Sequence, residues 1–127
     1  MFEMIAGEGK YRLRLRALAT GGNGLVVFLT GGERPHLGGV ALASLPPAEV
    51  ALSHCDSWEL TLPGHKDKEL ARILARKICL ATGEAVSVNV GIHVDHASGE
   101  EIAFLRRQAE ELAERFIRGY KEDKRRF

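Results

Sequence analysis

The sequence predicts an α+β domain, a mainly antiparallel sheet of about five to six strands with two helices in the order β-β-β-β-α-β-α. Three observations predict it. Apolar and polar residues alternate with a period of two in several short segments, which marks half-buried strands. Apolar residues recur at helical spacing over 67–81 and again after Ser98. The connections between the first four strands are too short for crossover helices, so those strands are expected to pair antiparallel as a meander.

The first strand is expected at Tyr11–Ala19, where Leu13, Leu15 and Ala17 face a core and Arg12, Arg14 and Arg16 face outward. Gly21-Gly22-Asn23-Gly24 is a turn signal, and Leu25–Thr30 follows as a continuous apolar run that fits a central strand. Leu37–Leu45 is the third strand, ended by Pro46-Pro47, after which 47–52 reads as a short helical turn. Trp58–Leu62 alternates again and stops at Pro63-Gly64. The first helix runs over 67–81 and ends at Thr82-Gly83. Val86–His93 then alternates as the last strand. Ser98 and Glu101 form a capping box, in which each side chain accepts from the other residue's backbone N–H. The helix they open carries Ile102, Leu105, Ala109, Leu112, Phe116 and Ile117 on one side and ends in the charged tail Lys121–Arg126.

A chain of 127 residues is expected to form a single domain over 1–127 with its core at about 10–120. Eighteen basic and seventeen acidic residues leave a formal charge of +1, which gives no electrostatic footprint for nucleic acid or a membrane. No apolar run approaches the ~20 residues that span a bilayer, and the start MFEMIAGEGKYRL lacks a signal-peptide pattern. The expected location is the cytoplasm. Two cysteines make no disulfide framework. Cys79 is expected in the core, and Cys55 beside His54 on a loop is not expected to form a reactive pair.

The chemistry concentrates in three segments, Gly31–Gly39, Gly64–Asp67 and Gly91–His96, where four of the five histidines sit among glycines. Glycine permits tight turns and close approach of backbone N–H groups to a ligand, and histidine adds a donor. Pro63-Gly64-His65-Lys66-Asp67 opens a helix, a natural anion site. Lys66 there opposes the helix dipole unless an anion is bound, or it points to solvent while Asp67 caps the helix. Gly31-Gly32 fits an ordinary hairpin loop, whereas Gly38-Gly39 inside a strand marks a bulge or close approach. His93 and Asp95 share one strand face with Ser87, Asn89 and Gly91. They could share a divalent metal with His36 or His65 as third ligand, or simply hydrogen-bond to each other. No nucleophile sits in a catalytic context and no carboxylate pair stands out, so no catalytic residue is assigned. These features suit holding a ligand.

Gly31-Gly32, Pro35-His36-Leu37-Gly38-Gly39-Val40, Gly64-His65-Lys66-Asp67 and Gly91-Ile92-His93-Val94-Asp95 together resemble the motifs of the prenylated-flavin chaperone family. These are small proteins associated with UbiD-type aryl decarboxylases, with a domain similar to a proteasome-assembly chaperone. The resemblance implies an α+β fold, a homodimer, and binding of prenylated FMN for delivery to a UbiD-type decarboxylase. Within that resemblance, our own reading of the residues assigns Gly31, Gly32, Gly38, Gly64, His65 and Lys66 to the phosphate end. His36, His93 and Asp95 would hold the ligand's polar groups or a bridging metal, and Val40, Leu42 or a dimer partner would wall the flavin ring. His96 departs from the family's usual Asn. The alternatives are a metal-dependent hydrolase or lyase using the His/Asp cluster, and an assembly factor working through protein contacts alone.

Overall fold

The computed structural model describes residues 1–46, 54–63 and 67–122; the turn expected at 47–52 and the charged tail beyond Glu122 lie outside them. The elements are β1 (Phe2–Ala6), β2 (Leu13–Ala19), β3 (Leu25–Gly32), β4 (Gly39–Ser44), β5 (Asp56–Thr61), α1 (Lys68–Thr82), β6 (Val86–His93) and α2 (Gly99–Glu122). They build an α+β fold around one six-stranded sheet in the order β1-β2-β3-β6-β4-β5. Every neighbouring pair is antiparallel except β3 and β6.

The N-terminal strand β1 adds to the strands expected from the sequence. It pairs along β2, and Phe2, Met4 and Ala6 pack against the core. Glu3 stands opposite Arg16 and accepts from its Nε at 2.8 Å. That hydrogen bond holds the Glu3 carboxyl below its ordinary range. The basic stripe therefore finds one acidic partner within the sheet.

The larger difference is the position of β6. A meander would pair β3 with β4, but β6 inserts between them, parallel to β3 and antiparallel to β4. Val86, Val88 and Val90 are fully buried, and burial of that row favours a strand with neighbours on both sides. The connection 33–38 allows this, since crossing one intervening strand requires only ~10 Å. Helix α1 supplies the crossover from β5 to β6 that parallel strands need.

Both helices cover one face of the sheet: α1 packs against β4, β5 and β6, and α2 against β1 and β2. Leu70, Leu74 and Ile78 of α1 meet the core at helical spacing, and α1 ends at Gly83 in the left-handed conformation. The α2 capping box forms as its sequence requires: Glu101 N donates to Ser98 Oγ at 3.1 Å and Ser98 N to Glu101 Oε1 at 3.0 Å. Leu105, Ala109, Leu112, Phe116 and Ile117 are buried, joined by Tyr120, while Ile102 is half-exposed. Tyr120 donates to Glu84 Oε2 at 2.5 Å and Gly24 N to Glu84 Oε1 at 3.0 Å, which ties the β2–β3 turn and the end of α2 to the start of β6. Burial and the Glu84 carboxylate push the Tyr120 phenol up to about 12.

Cys55 and Cys79 are both buried, and burial, then Cys55, pushes the Cys79 thiol up to about 11. His54 is exposed and turns to Asp56 at 3.3 Å, so it forms no pair with Cys55. The second face of the sheet carries no helix. Across it run two registered rows, Leu18–Val26–Ser87–Leu42–Trp58 and Arg16–Phe28–Asn89–Val40–Leu60.

Candidate functional site

The site forms where the 33–38 connection crosses the C-terminal end of β6. Gly91 makes the crossing possible: a Cβ there would overlap the His36 carbonyl, a backbone atom with no freedom to swing aside. The connection is pinned at both ends. Glu33 N donates to His93 O at 2.7 Å, Gly38 N to Val90 O at 3.0 Å, and Leu62 N to Gly38 O at 2.8 Å. Gly32 turns with φ +80, and a side chain there would strike the His93 backbone.

The crossing delivers His36 to the start of α1. Its Nδ1 lies 2.9 Å from the Arg34 carbonyl and its Nε2 3.3 Å from Asp67 Oδ2. Both partners are acceptors, so each ring nitrogen faces an oxygen. Asp67 precedes α1 at the N-cap position, yet its side chain makes no cap bond. Its carboxylate faces His36 and accepts from Ile92 N at 3.4 Å. A side chain at Gly38 would collide with that carboxylate. Capping, the simple expectation for Asp67, gives way to a contact with a residue 31 positions upstream in the chain.

The second cluster lies beside the first, with the His36 and His93 rings 6.3 Å apart. His93 Nε2 is 2.7 Å from Asp95 Oδ1 and 2.8 Å from an Arg34 terminal nitrogen, which itself lies 3.1 Å from Asp95 Oδ1. The guanidinium only donates, so His93 Nε2 cannot accept from Arg34 while donating to Asp95. The shorter contact is the one to the carboxylate. The His93 hydrogen bond, then the charge of Arg34, holds the Asp95 carboxyl below its ordinary range. Glu33 Oε1 accepts from Asp95 N at 2.8 Å and fixes the segment after β6.

A cavity of about 500 Å³ opens at these side chains. It is lined by Glu69 and Leu70 of α1, by Ile102, Leu105 and Arg106 of α2, and by Ile92, Val94 and Ala97, together with His36, Asp67 and His93; Arg106 donates to Glu69 at 3.3 Å across it. The lining thus combines imidazole donors and the Arg106–Glu69 pair with an aliphatic surface of Leu70, Ile92, Val94, Ile102 and Leu105. A model of the prenylated flavin chaperone LpdD-like domain matches residues 7–121. The chain belongs to that family. It matches no curated protein sequence.

Of the expected site residues, the structure gathers Gly31, Gly32, His36, Gly38, His93 and Asp95 around the end of β6, whereas Gly64, His65 and Lys66 lie outside the described residues. At Gly31 the space for a Cβ is taken by the Arg12 carbonyl and Leu13, so this glycine brings β3 and β2 together. Asp67, Arg34 and Glu33 join the cluster beyond the residues singled out by sequence. Arg34 had a signal: it is the one cation inside the Gly31–Gly39 segment. His96 is exposed with φ +52, a left-handed backbone conformation that Asn and Asp adopt more readily than most residues. Among the described residues no three His, Cys, Asp or Glu side chains gather as metal donors, so the metal-enzyme alternative finds no support in this cluster. No helix of the described residues is long and apolar enough to cross a membrane.

Proposed function

We propose that this chaperone binds prenylated FMN as cargo and delivers it to the apoenzyme of a UbiD-type decarboxylase, without catalysing a reaction of its own. One observation carries the reading: the cavity is amphipathic in the sense the cargo requires. Its lining offers the imidazoles of His36 and His93 and the Arg106 guanidinium to a phosphate, beside the carboxylates of Asp67 and Glu69, and the aliphatic Leu70, Ile92, Val94, Ile102 and Leu105 to a tricyclic ring. In this reading Gly31, Gly32 and Gly38 bring the segments together, and His36 and His93 hold polar groups of the ligand. Gly64, His65 and Lys66, adjoining Asp67 in the chain, complete the phosphate end. The family's printed description, a chaperone of prenylated flavin, supports the same cargo. The cytoplasm is the compartment proposed.

The homodimer belongs to this proposal, with the uncovered sheet face as its interface. Leu18, Val26, Leu42, Trp58 and Leu60 on that face are 45–74% exposed. With Ile5 they present on the order of 600 Å² of apolar side chain, at the upper end for the patches of a monomer and close to the ~800 Å² a subunit contributes to a stable interface. Arg16 on this face is paired with Glu3, which leaves the apolar rows to meet those of a second copy. Light scattering should give the mass of a dimer, reduced to a monomer by Leu42→Glu; a wild-type monomer refutes this arrangement.

The functional test is anaerobic titration of the purified protein with prenylated FMN, followed by transfer to an apo-decarboxylase. Wild type is expected to take up the flavin and restore decarboxylase activity, and His36→Ala and Lys66→Ala to bind it less tightly. Absence of uptake overturns the cargo, and uptake without transfer overturns delivery.

A further inference from the structure

Two donors, the His93 imidazole and the Arg34 guanidinium, converge on one oxygen, Asp95 Oδ1, at 2.7 and 3.1 Å. The arrangement is unbalanced. Arg34 NH2 and His93 Nε2 are also 2.8 Å apart, which brings two N–H groups against each other once His93 donates to Asp95. The remaining N–H groups of the guanidinium make no hydrogen bond or ion pair among the described residues, and the side chain is 69% exposed. The Arg34 backbone, in contrast, is held: its N–H approaches the His93 carbonyl and its C=O accepts from His36. A fixed backbone therefore carries a solvent-facing guanidinium beside the cavity-lining His93, with one carboxylate oxygen in contact with both.

We propose that Asp95 is a built-in competitor for the ligand's phosphate: it engages Arg34 and His93 in the empty protein and yields Arg34 to the incoming phosphomonoester. The guanidinium fork matches a tetrahedral phosphate bidentately, which one carboxylate oxygen does not allow. Release is easy because the Arg34–Asp95 pair is exposed, and exposed pairs contribute little. The consequence is an affinity held below its maximum, suited to a protein that must surrender what it binds. Arg34 is then a ligand-binding residue, and Asp95 a residue that regulates it.

This inference rests on the cargo reading, and the experiment separates the two. Prenylated FMN is titrated anaerobically into wild type, Asp95→Asn, Arg34→Gln and the double variant, with inorganic phosphate as competitor. Asp95→Asn keeps the size of the side chain and removes its charge; it is expected to bind about three- to fivefold tighter. Arg34→Gln is expected to bind about tenfold weaker or worse. In the Arg34→Gln background the gain from Asp95→Asn should shrink towards the part carried by His93, a coupling that two independent structural effects would not show. Inorganic phosphate should compete more strongly against Asp95→Asn than against wild type. If wild type takes up no flavin, the cargo reading falls and this inference with it. If wild type binds and Asp95→Asn binds equally or more weakly, only the competitor role falls. Circular dichroism and thermal melts of each variant identify any that fails to fold, and the folded Arg34→Gln and phosphate-competition measurements then decide the matter.

Discussion

Gly91→Ala should dismantle the site while leaving most of the fold standing. Gly91 is buried in β6, and the atoms that a new Cβ would meet are the backbone C and O of His36 and the amide of Leu37. No side-chain rotation relieves that overlap, so the 33–38 connection must rise from the sheet. Lifting it breaks or stretches the bonds from Glu33 N to His93 O and from Gly38 N to Val90 O, and draws His36 from Asp67. Overpacking of this kind typically costs ~1–3 kcal/mol, and each net hydrogen bond lost adds ~1 kcal/mol. A total of about 2–4 kcal/mol follows if the connection moves as a unit. Urea denaturation measures the loss. Amide chemical shifts should change at 31–38, 61–67 and 89–95 and remain near wild type in β1 and α2. Gly21→Ala serves as the comparison: its Cβ meets open space, and only its φ of +78 opposes the change. It should cost ~1–2 kcal/mol from left-handed strain and leave the shifts of the site in place. Wild-type stability for Gly91→Ala, with unmoved amides at 33–38, would refute the crossing.

Tyr120→Phe should cost about 1.5–3 kcal/mol in urea, because it removes a donor from the buried Glu84 carboxylate. The same contact makes stability fall in alkali. The folded phenol is raised to about 12 from 10.0, so its contribution is complete below ~10 and is lost as pH climbs to 12; Tyr120→Phe should flatten that limb of the denaturation profile. In acid the carboxylate to watch is Glu101. Tyr11 first, then the Ser98 N–H and Lys10, lower it to about 2 from 4.5. Its contribution is complete above ~4.5 and is lost as pH falls towards 2, so Glu101→Gln should reduce the acid sensitivity of melting between those values.

What the sequence shows well is what depends on near neighbours in the chain. The alternation of β2 and β6, the helical spacing of Leu70, Leu74 and Ile78, and the Ser98/Glu101 box all rest on periods or caps of a few residues. β1 escaped because Phe2, Met4, Ile5 and Ala6 leave Glu3 as its single polar residue, so period two has nothing to show. The insertion of β6 between β3 and β4 escaped for another reason. Loop length bounds which strands can be neighbours but does not choose among them, and a connection able to turn a hairpin can also cross one strand. Sequence leaves open whether Asp67 caps α1, because its decisive partner, His36, is remote in the chain.

The glycines show how an incomplete reading can still find the site. From sequence they mark places where backbone approaches a ligand closely. In the structure, Gly31, Gly32, Gly38 and Gly91 give up their side-chain space to protein atoms: the Arg12, His93 and His36 carbonyls and the Asp67 carboxylate. Each therefore brings one segment against another. The histidines gather because the glycines let the 33–38 connection lie down on β6, with His36 reaching one side and Arg34 the other. The same close approach that positions His36 beside Asp67 fixes the Arg34 backbone near His93 and leaves its guanidinium exposed, in contact with Asp95. On the proposed carrier reading, an exposed cation on a fixed backbone would recognise an anion without a large reorganisation, and Asp95 would take the anion's place when the cargo leaves.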